Sequence, residues 1–375
     1  MTVLRESVRA DVGPLPAGLD EVELTWALEA GHFHRIRPAV WRRLKNAPEV
    51  PEGWVDAFGP ARDRHMMMHM AAKVDASLLV QALASVGARW ALAKGPVLAE
   101  LVWPSADMRE YTDIDAYVHH EDFPEALEAL ESAGFTLIDR NWPALRDSER
   151  AEIAMRAPTG TLVDLHWHVA VSPESRAAFS VDLPRMLAKT RPGDLGGGLI
   201  VPTFDPTDNL FLVLFHAAAS GANRLVWLGD VHYAATADGV DESELDATAS
   251  QAHSRAACAV VLSRAEKHLG TSVNWPPGLG SFASRSLASR IVRFRERLHD
   301  FPALPGDKAM SGADVEGARD RAFDTVTTLY RQRSAQYRLE ARLARTGPEQ
   351  NVLDRDVPDA AARRAYLEFA SRGGR

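Results

Sequence analysis

The residues with the most chemical content form a short acidic motif, Asp113-Ile114-Asp115. Side chains two apart on a strand point to the same face, so both carboxylates project together while Ile114, Ala116 and Val118 pack on the opposite face. Two like charges held that close are unfavourable unless a cation sits between them. Magnesium, a hard ion bound through carboxylates and substrate phosphates, suits such a pair, with manganese as its substitute. An isolated Asp-x-Asp is equally what a solvated strand end looks like, so its context decides. In Thr161-Leu-Val-Asp164-Leu-His166-Trp-His168-Val the alternation puts Asp164, His166 and His168 on one face and Val163, Leu165, Trp167 and Val169 on the other. If the two strands are neighbours, Asp164 becomes a third carboxylate. Three carboxylates on adjacent strands are what two-metal phosphoryl or nucleotidyl transfer requires, with the ions ~4 Å apart. The third feature is Lys94-Gly95-Pro96 at a strand-to-helix turn, where free N–H groups and a partial positive charge face a phosphate and Lys94 adds a full one.

The elements that must position these groups follow from periodicity and punctuation. Residues 20–88 read as helices, with Leu24, Trp26, Ala27, Phe33 and Ile36 at helical spacing and a break at Pro51–Gly53. A long helix is expected from about Pro60 to Val86, with Gly87 as its stop and Met66-Met67-Met68-His69-Met70 as core filler. Trp90–Ala93 reads as a strand, the stretch from Pro96 as a helix, and Asp113–Val118 as a strand. Residues 122–133 read as an amphipathic helix stopped by Gly134, with strands at Phe135–Ile138 and Leu162–Val169. Such β and α alternation predicts an α/β sandwich here. After Gly196-Gly197-Gly198, Leu199–Val201 is one arm of a small hairpin. Asp205-Pro206 starts a helical region that runs to about residue 345, interrupted at 276–280 and 302–306. The expected organisation is a helical region over 1–88, an α/β core over 89–204, a helical domain over 205–345 and a polar tail or peripheral helix over 346–375.

With 375 residues, 46% hydrophobic and 25% charged, the chain can bury a sizeable core in two to three domains. The net charge of −8 argues against coating nucleic acid or anionic membrane, which runs on clustered positive charge. The single cysteine, Cys258, excludes an intramolecular disulfide and a Cys-rich zinc module. The N-terminus shows no basic-then-apolar signal pattern, and Leu210–Ser220, the most apolar stretch, is about half the ~20 residues needed to span a bilayer. The expected compartment is the cytoplasm.

Several stretches in a fixed order resemble the bacterial uncharacterised nucleotidyltransferase family of the polymerase-beta-like superfamily. They are Leu92-Ala-Lys94-Gly95, Arg109-Glu-Tyr-Thr-Asp113-Ile-Asp115-Ala-Tyr-Val118, Val163-Asp164-Leu-His166-Trp167, and His216 followed by Arg224-Leu-Val-Trp227-Leu-Gly-Asp230. The resemblance covers roughly residues 20 to 240. It implies an α+β fold, a mixed sheet with flanking helices plus N- and C-terminal helical regions. It also implies Mg²⁺ on Asp113, Asp115 and Asp164, a nucleoside triphosphate donor with ATP as first choice, and Lys94, Gly95 and Arg109 as phosphate-binding or loop-ordering groups. One departure from the superfamily is Gly95-Pro96 in place of a Gly-Ser phosphate turn, which removes a hydroxyl and an N–H and shifts weight onto Lys94.

The leading expectation is Mg²⁺-dependent transfer of a nucleotidyl group to a hydroxyl of a small-molecule or protein acceptor, with pyrophosphate leaving. In it His166, His216 and Arg224 border the nucleotide, and Trp227 or a neighbour stacks the base. Arg224 and Asp230 read otherwise as a structural ion pair. Bulk nucleic acid is disfavoured as a partner. Two other readings stand beside it: a non-catalytic nucleotide- or partner-binding protein of the same fold, and a transition-metal hydrolase on Asp164, His166 and His168, since imidazole suits zinc or iron.

Overall fold

Short-range signals set the helix limits at the N-terminal end. The helices there are α1 (Thr2–Val8), α2 (Glu21–Phe33), α3 (Arg37–Asn46) and α4 (Trp54–Ser85). Asp20 starts α2 by accepting from the Val22 and Glu23 N–H groups at 2.9 and 3.0 Å. Past the end of α4, Gly87 takes a left-handed φ of 64°. The 3.6-residue period of α4 buries His65, His69, Ala72, Ala76, Leu79 and Leu83 on one stripe. Met67 and Met70 fall off that stripe and are 69% and 57% exposed, which corrects their expected place as core filler. Of the methionine run, Met68 packs against the core. The computed structural model describes residues 1–374 apart from residues 12, 273, 299, 300, 305, 306, 308–319 and 321–351.

The central region alternates strands and helices: β1 (Trp90–Ala93), α5 (Gly95–Leu101), β2 (Asp113–Val118), α6 (Phe123–Ser132), β3 (Thr136–Leu137), α7 (Trp142–Ser148), β4 (Glu152–Arg156), β5 (Leu162–His166), α8 (Pro173–Ala178), α9 (Leu183–Leu187), β6 (Arg191–Asp194) and β7 (Ile200–Thr203). The strands form one seven-stranded sheet in the order β3-β4-β5-β2-β1-β7-β6. The β2–β5 and β1–β7 pairs are parallel and the other pairs antiparallel, so the sheet is mixed. β6 and β7 are the expected hairpin around the glycine turn.

The sheet divides the apolar interior in two. On one face Leu92, Ile114, Ala116, Val118, Val163 and Leu165 pack with Ala76 and Leu79 of α4 and with Phe123 and Leu127 of α6. The other face meets the helical region α10 (Pro206–Ala219), α11 (Leu225–Ala235), α12 (Glu242–Gln251), α13 (Arg255–Leu269), α14 (Pro277–Arg285) and α15 (Leu287–Leu298). There Ala91, Ala93 and Tyr117 share a cluster with Leu212, Phe215 and Val261. Asp205 caps α10 by accepting from the Thr207 and Asp208 N–H groups at 2.9 Å each. The expected helical stretch over 308–345 lies, apart from residue 320, outside the described residues.

Of the two expectations for the polar stretch near the C-terminus, a tail or a peripheral helix, a helix is present, α16 (Ala360–Ser371), and its inner face is part of the core. Tyr366 is fully buried, its hydroxyl donating to the Arg150 carbonyl at 2.8 Å and accepting from Trp167 Nε1 at 3.2 Å. Ala362, Tyr366, Leu367 and Ala370 recur at helical spacing, so an overall polar segment still carries one apolar stripe. The fold is thus α+β, with a mixed sheet and flanking helices. Among the described residues no helix is long and apolar enough to cross a membrane.

Candidate functional site

Sheet register brings the acidic motifs together. In the parallel pair β2–β5, Asp115 sits directly opposite Asp164 and Tyr117 opposite His166. The antiparallel neighbours complete two rows across the sheet: Ala93, Asp115, Asp164 and Ala154, then Ala91, Tyr117, His166 and Glu152. Residues paired across strands share a face, so the two carboxylates stand side by side between two alanines. The small flanking side chains leave the space above the carboxylates open. That space is a cavity of about 410 Å³ between the sheet and α10, lined by Lys94, Asp113, Asp115, Tyr117, Glu152, Asp164, His166 and, on α10, Leu212, Phe215 and His216.

The turn after β1 places Lys94. Its φ of 48° with ψ of −134° is a backbone state that side chains rarely take, and the Lys94 carbonyl accepts from Leu98 N–H at 2.9 Å to open α5. Gly95 follows at φ 24°, where an added Cβ would stand 2.6 Å from the Asp113 carbonyl oxygen. Close approach of the turn to β2 therefore requires glycine. The Lys94 ammonium reaches the Asp115 carboxylate as an ion pair and lies 3.5 Å from His216 Nδ1. On the other side of Asp115, His166 Nε2 donates to Oδ1 at 3.3 Å, and its Nδ1 lies 3.3 Å from Glu152 Oε2. The imidazole stacks on Tyr117, with centroids 4.6 Å apart and planes 11° from parallel.

These neighbours set the charges. Burial raises the pKa of Asp115, but Lys94 and His166 outweigh it and hold the carboxyl well below its usual range. Asp164 moves the other way: burial, with repulsion from Asp115 and Glu152 against the pull of His166, lifts it to about 7. Burial and then Asp115 also raise Asp113. Burial works against a charged His166, and the Asp115 hydrogen bond and Glu152 overcome it, so its pKa is raised. His216 is pushed down to about 3 by burial and then by Lys94.

Ligand atoms of Asp115, Asp164 and His166 all lie within 4.8 Å of one another. Asp113 lines the same cavity without joining that tight group. Two carboxylates in register with a third one residue pair along the strand suit a hard divalent cation, whose preferred donors are oxygens. His166 is better matched to balancing carboxylate charge than to ligating, because both of its nitrogens face carboxylates. His168 is not with them. β5 ends at His166, and His168 Nδ1 accepts from the Ala170 N–H at 2.9 Å, so the expected one-face trio is broken. The transition-metal reading loses one of its three ligands there.

The remaining sequence candidates separate. Arg109 does not line the cavity; it is buried, donating to Asp230 from Nε at 2.7 Å and Nη2 at 2.9 Å and to the Gly95 carbonyl at 3.2 Å. Trp103 Nε1 donates to the same Asp230 at 2.8 Å. Asp230 is thus the partner of Arg109, which corrects the expected Arg224–Asp230 pair. Arg224 instead lies over the rings of Trp227 and Phe33, at 5.1 and 5.4 Å, away from the cavity lining. Trp227 meets His216 edge-on at 6.1 Å. Of the titratable lining residues, two were missed in the sequence. Tyr117 continues the Asp113, Asp115 alternation and was legible there. Glu152 sits on a strand whose Glu, Ala, Met and Arg are better helix than strand formers, and its signal was the alternation of Ile153 and Met155 with polar or small neighbours.

No curated protein matches the chain. Residues 20–270 match the family described as Uncharacterised nucleotidyltransferase, a span that holds the whole sheet and every lining residue of the cavity, and the chain belongs to that family.

Proposed function

We propose that the protein transfers a nucleotidyl group from a nucleoside triphosphate to a hydroxyl of a small-molecule or protein acceptor, releasing pyrophosphate. The observation that carries this reading is the register of β2 on β5, which sets Asp115 beside Asp164 with Asp113 at the same cavity. Asp113, Asp115 and Asp164 would hold Mg²⁺ or Mn²⁺, which when bound polarises phosphate oxygens and activates the attacking hydroxyl. The chain's own contributions are positioning and charge. Lys94, the one Lys or Arg in the cavity lining among the described residues, offers its ammonium to the triphosphate. Asp164, on the strand beside Asp115 at the same cavity, would take the acceptor's proton as the hydroxyl attacks. His166, held between Asp115 and Glu152, offsets the accumulated negative charge. The apolar lining of Val169, Leu212 and Phe215 excludes water from one side. With four carboxylates and a single lysine along the wall among the described residues, the cavity disfavours a polyanionic acceptor such as an RNA end.

The test is pyrophosphate release from each of the four nucleoside triphosphates with Mg²⁺ or Mn²⁺ and a panel of hydroxyl acceptors. Asp115→Asn and Asp164→Asn are each expected to lower kcat at least about 100-fold, in the range of lost electrostatic stabilisation at a reacting phosphate. Binding of a fluorescent ATP analogue, dependent on Mn²⁺ and lost in Asp115→Asn, reads the site even when the acceptor is absent from the panel. Turnover that survives both substitutions would overturn the assignment.

A further inference from the structure

Lys94 stands on the carboxylate that both the cation and the nucleotide need. Its ammonium is ion-paired to Asp115 Oδ1, the same oxygen that accepts from His166 Nε2 at 3.3 Å. Asp115 is also a member of the tight group with Asp164 and His166. An ammonium in contact with that oxygen and a divalent ion bound to it would be like charges within contact distance in a buried site. The backbone of Lys94 is pinned by the turn, but its four-carbon stem is not, and the Nζ lies 3.5 Å from His216 Nδ1, an uncharged acceptor at the cavity wall. Among the described residues no other Lys or Arg lines the cavity, so the same ammonium is what a polyphosphate would meet.

We infer that Lys94 is a tethered competitor for the cation site: it holds Asp115 until a polyphosphate draws its ammonium away, so that divalent metal and nucleotide load together and metal alone binds weakly. This rests on the nucleotidyl-transfer reading of the site. It makes Lys94 the origin of a coupling between the two ligands, which by linkage must be reciprocal.

The experiment titrates Mn²⁺ into the full chain by electron paramagnetic resonance of the free ion, with and without α,β-methylene-ATP. In the wild type Mn²⁺ alone is expected to bind weakly and to tighten when the analogue is present. Lys94→Met keeps the stem and removes the charge; Mn²⁺ alone should then bind roughly tenfold tighter, and the tightening by the analogue should largely vanish. Lys94→Gln serves as a second neutral variant should the first fail to fold, and Lys94→Arg is expected to keep the wild-type pattern. Mn²⁺ binding Lys94→Met and Lys94→Gln no tighter than wild type, while Asp115→Asn abolishes Mn²⁺ binding in the presence of the analogue, overturns the competitor role and leaves the site intact. No Mn²⁺ binding to the wild type even with the analogue would sink the nucleotidyl-transfer reading and the competitor role with it.

Discussion

At Gly95 the molecule has no room for a side chain. A Cβ there would stand 2.6 Å from the Asp113 carbonyl oxygen, which belongs to the backbone of β2 and cannot swing away. The φ of 24° adds a conformational cost for any L-residue. Gly95→Ala is therefore expected to cost roughly 2–4 kcal/mol, in the upper range for single substitutions, because relief requires pushing β2 away from the turn. The same displacement moves Asp113 relative to Lys94, so affinity for a fluorescent ATP analogue should fall with stability. Urea unfolding and nucleotide titration on the same variant check both; a variant as stable as wild type would show that the turn can part from β2 freely. Lys94 and Gly95 were legible in the sequence as a strand-to-helix turn. Their contact with Asp113 was not, because it joins two segments that only the sheet brings together.

At the scale of elements, α16 does more than its composition suggests. Its buried tyrosine closes the sheet face behind the site: the Tyr366 hydroxyl links Arg150, two residues before Glu152, to Trp167, the residue after His166. Tyr366→Ala should cost about 3–5 kcal/mol, the usual range for truncating a buried aromatic. Tyr366→Phe should cost about 1–3 kcal/mol, for the orphaned Trp167 N–H and Arg150 carbonyl. Chemical denaturation reads both. Equal stability of Tyr366→Ala and wild type would mean that α16 is not packed as described. A helix was one of two expectations there; its burial was hard to see because the four buried positions are spread among charged residues, and because its partner segments lie some two hundred residues earlier in the chain.

At the scale of the molecule, several histidines are buried and uncharged. Burial, with nearby arginines adding to it, pushes His34 and His268 down to about 3 and His168 down to about 4. His65 falls to about 4 mainly through burial. A folded pKa below the unfolded value of 6.5 means the unfolded chain binds protons first as pH falls. The stability that these groups supply is therefore complete above about pH 6.5 and is lost as the pH drops toward 3–4. Each contributes up to about 1.4 kcal/mol per pH unit in that window. His166 carries the opposite sign: its raised pKa stabilises the fold at low pH, and that contribution is lost as pH rises through the folded value. His216, also pushed down to about 3, joins those four, while Asp164, lifted to about 7, shares the sign of His166 because the folded chain binds its proton first. Five groups outweigh two, so the urea midpoint should fall from pH 7 to pH 5. A flat profile over that range would show these rings to be accessible to protons in the folded state.

The sequence by itself determined what neighbours within a few residues can encode. Alternation assigned Asp113, Asp115 and Asp164 to open strand faces, Asp205 and Pro206 marked the start of α10, and Gly87 marked the end of α4. The tertiary structure decided which strand lies against which, and hence that Asp115 faces Asp164, that Glu152 enters the cavity and His168 leaves it, and that Asp230 serves Arg109 rather than Arg224. Periodicity and capping are local properties of the backbone. Strand order and register depend on packing summed over both faces of the sheet, and no short stretch of chain carries that sum.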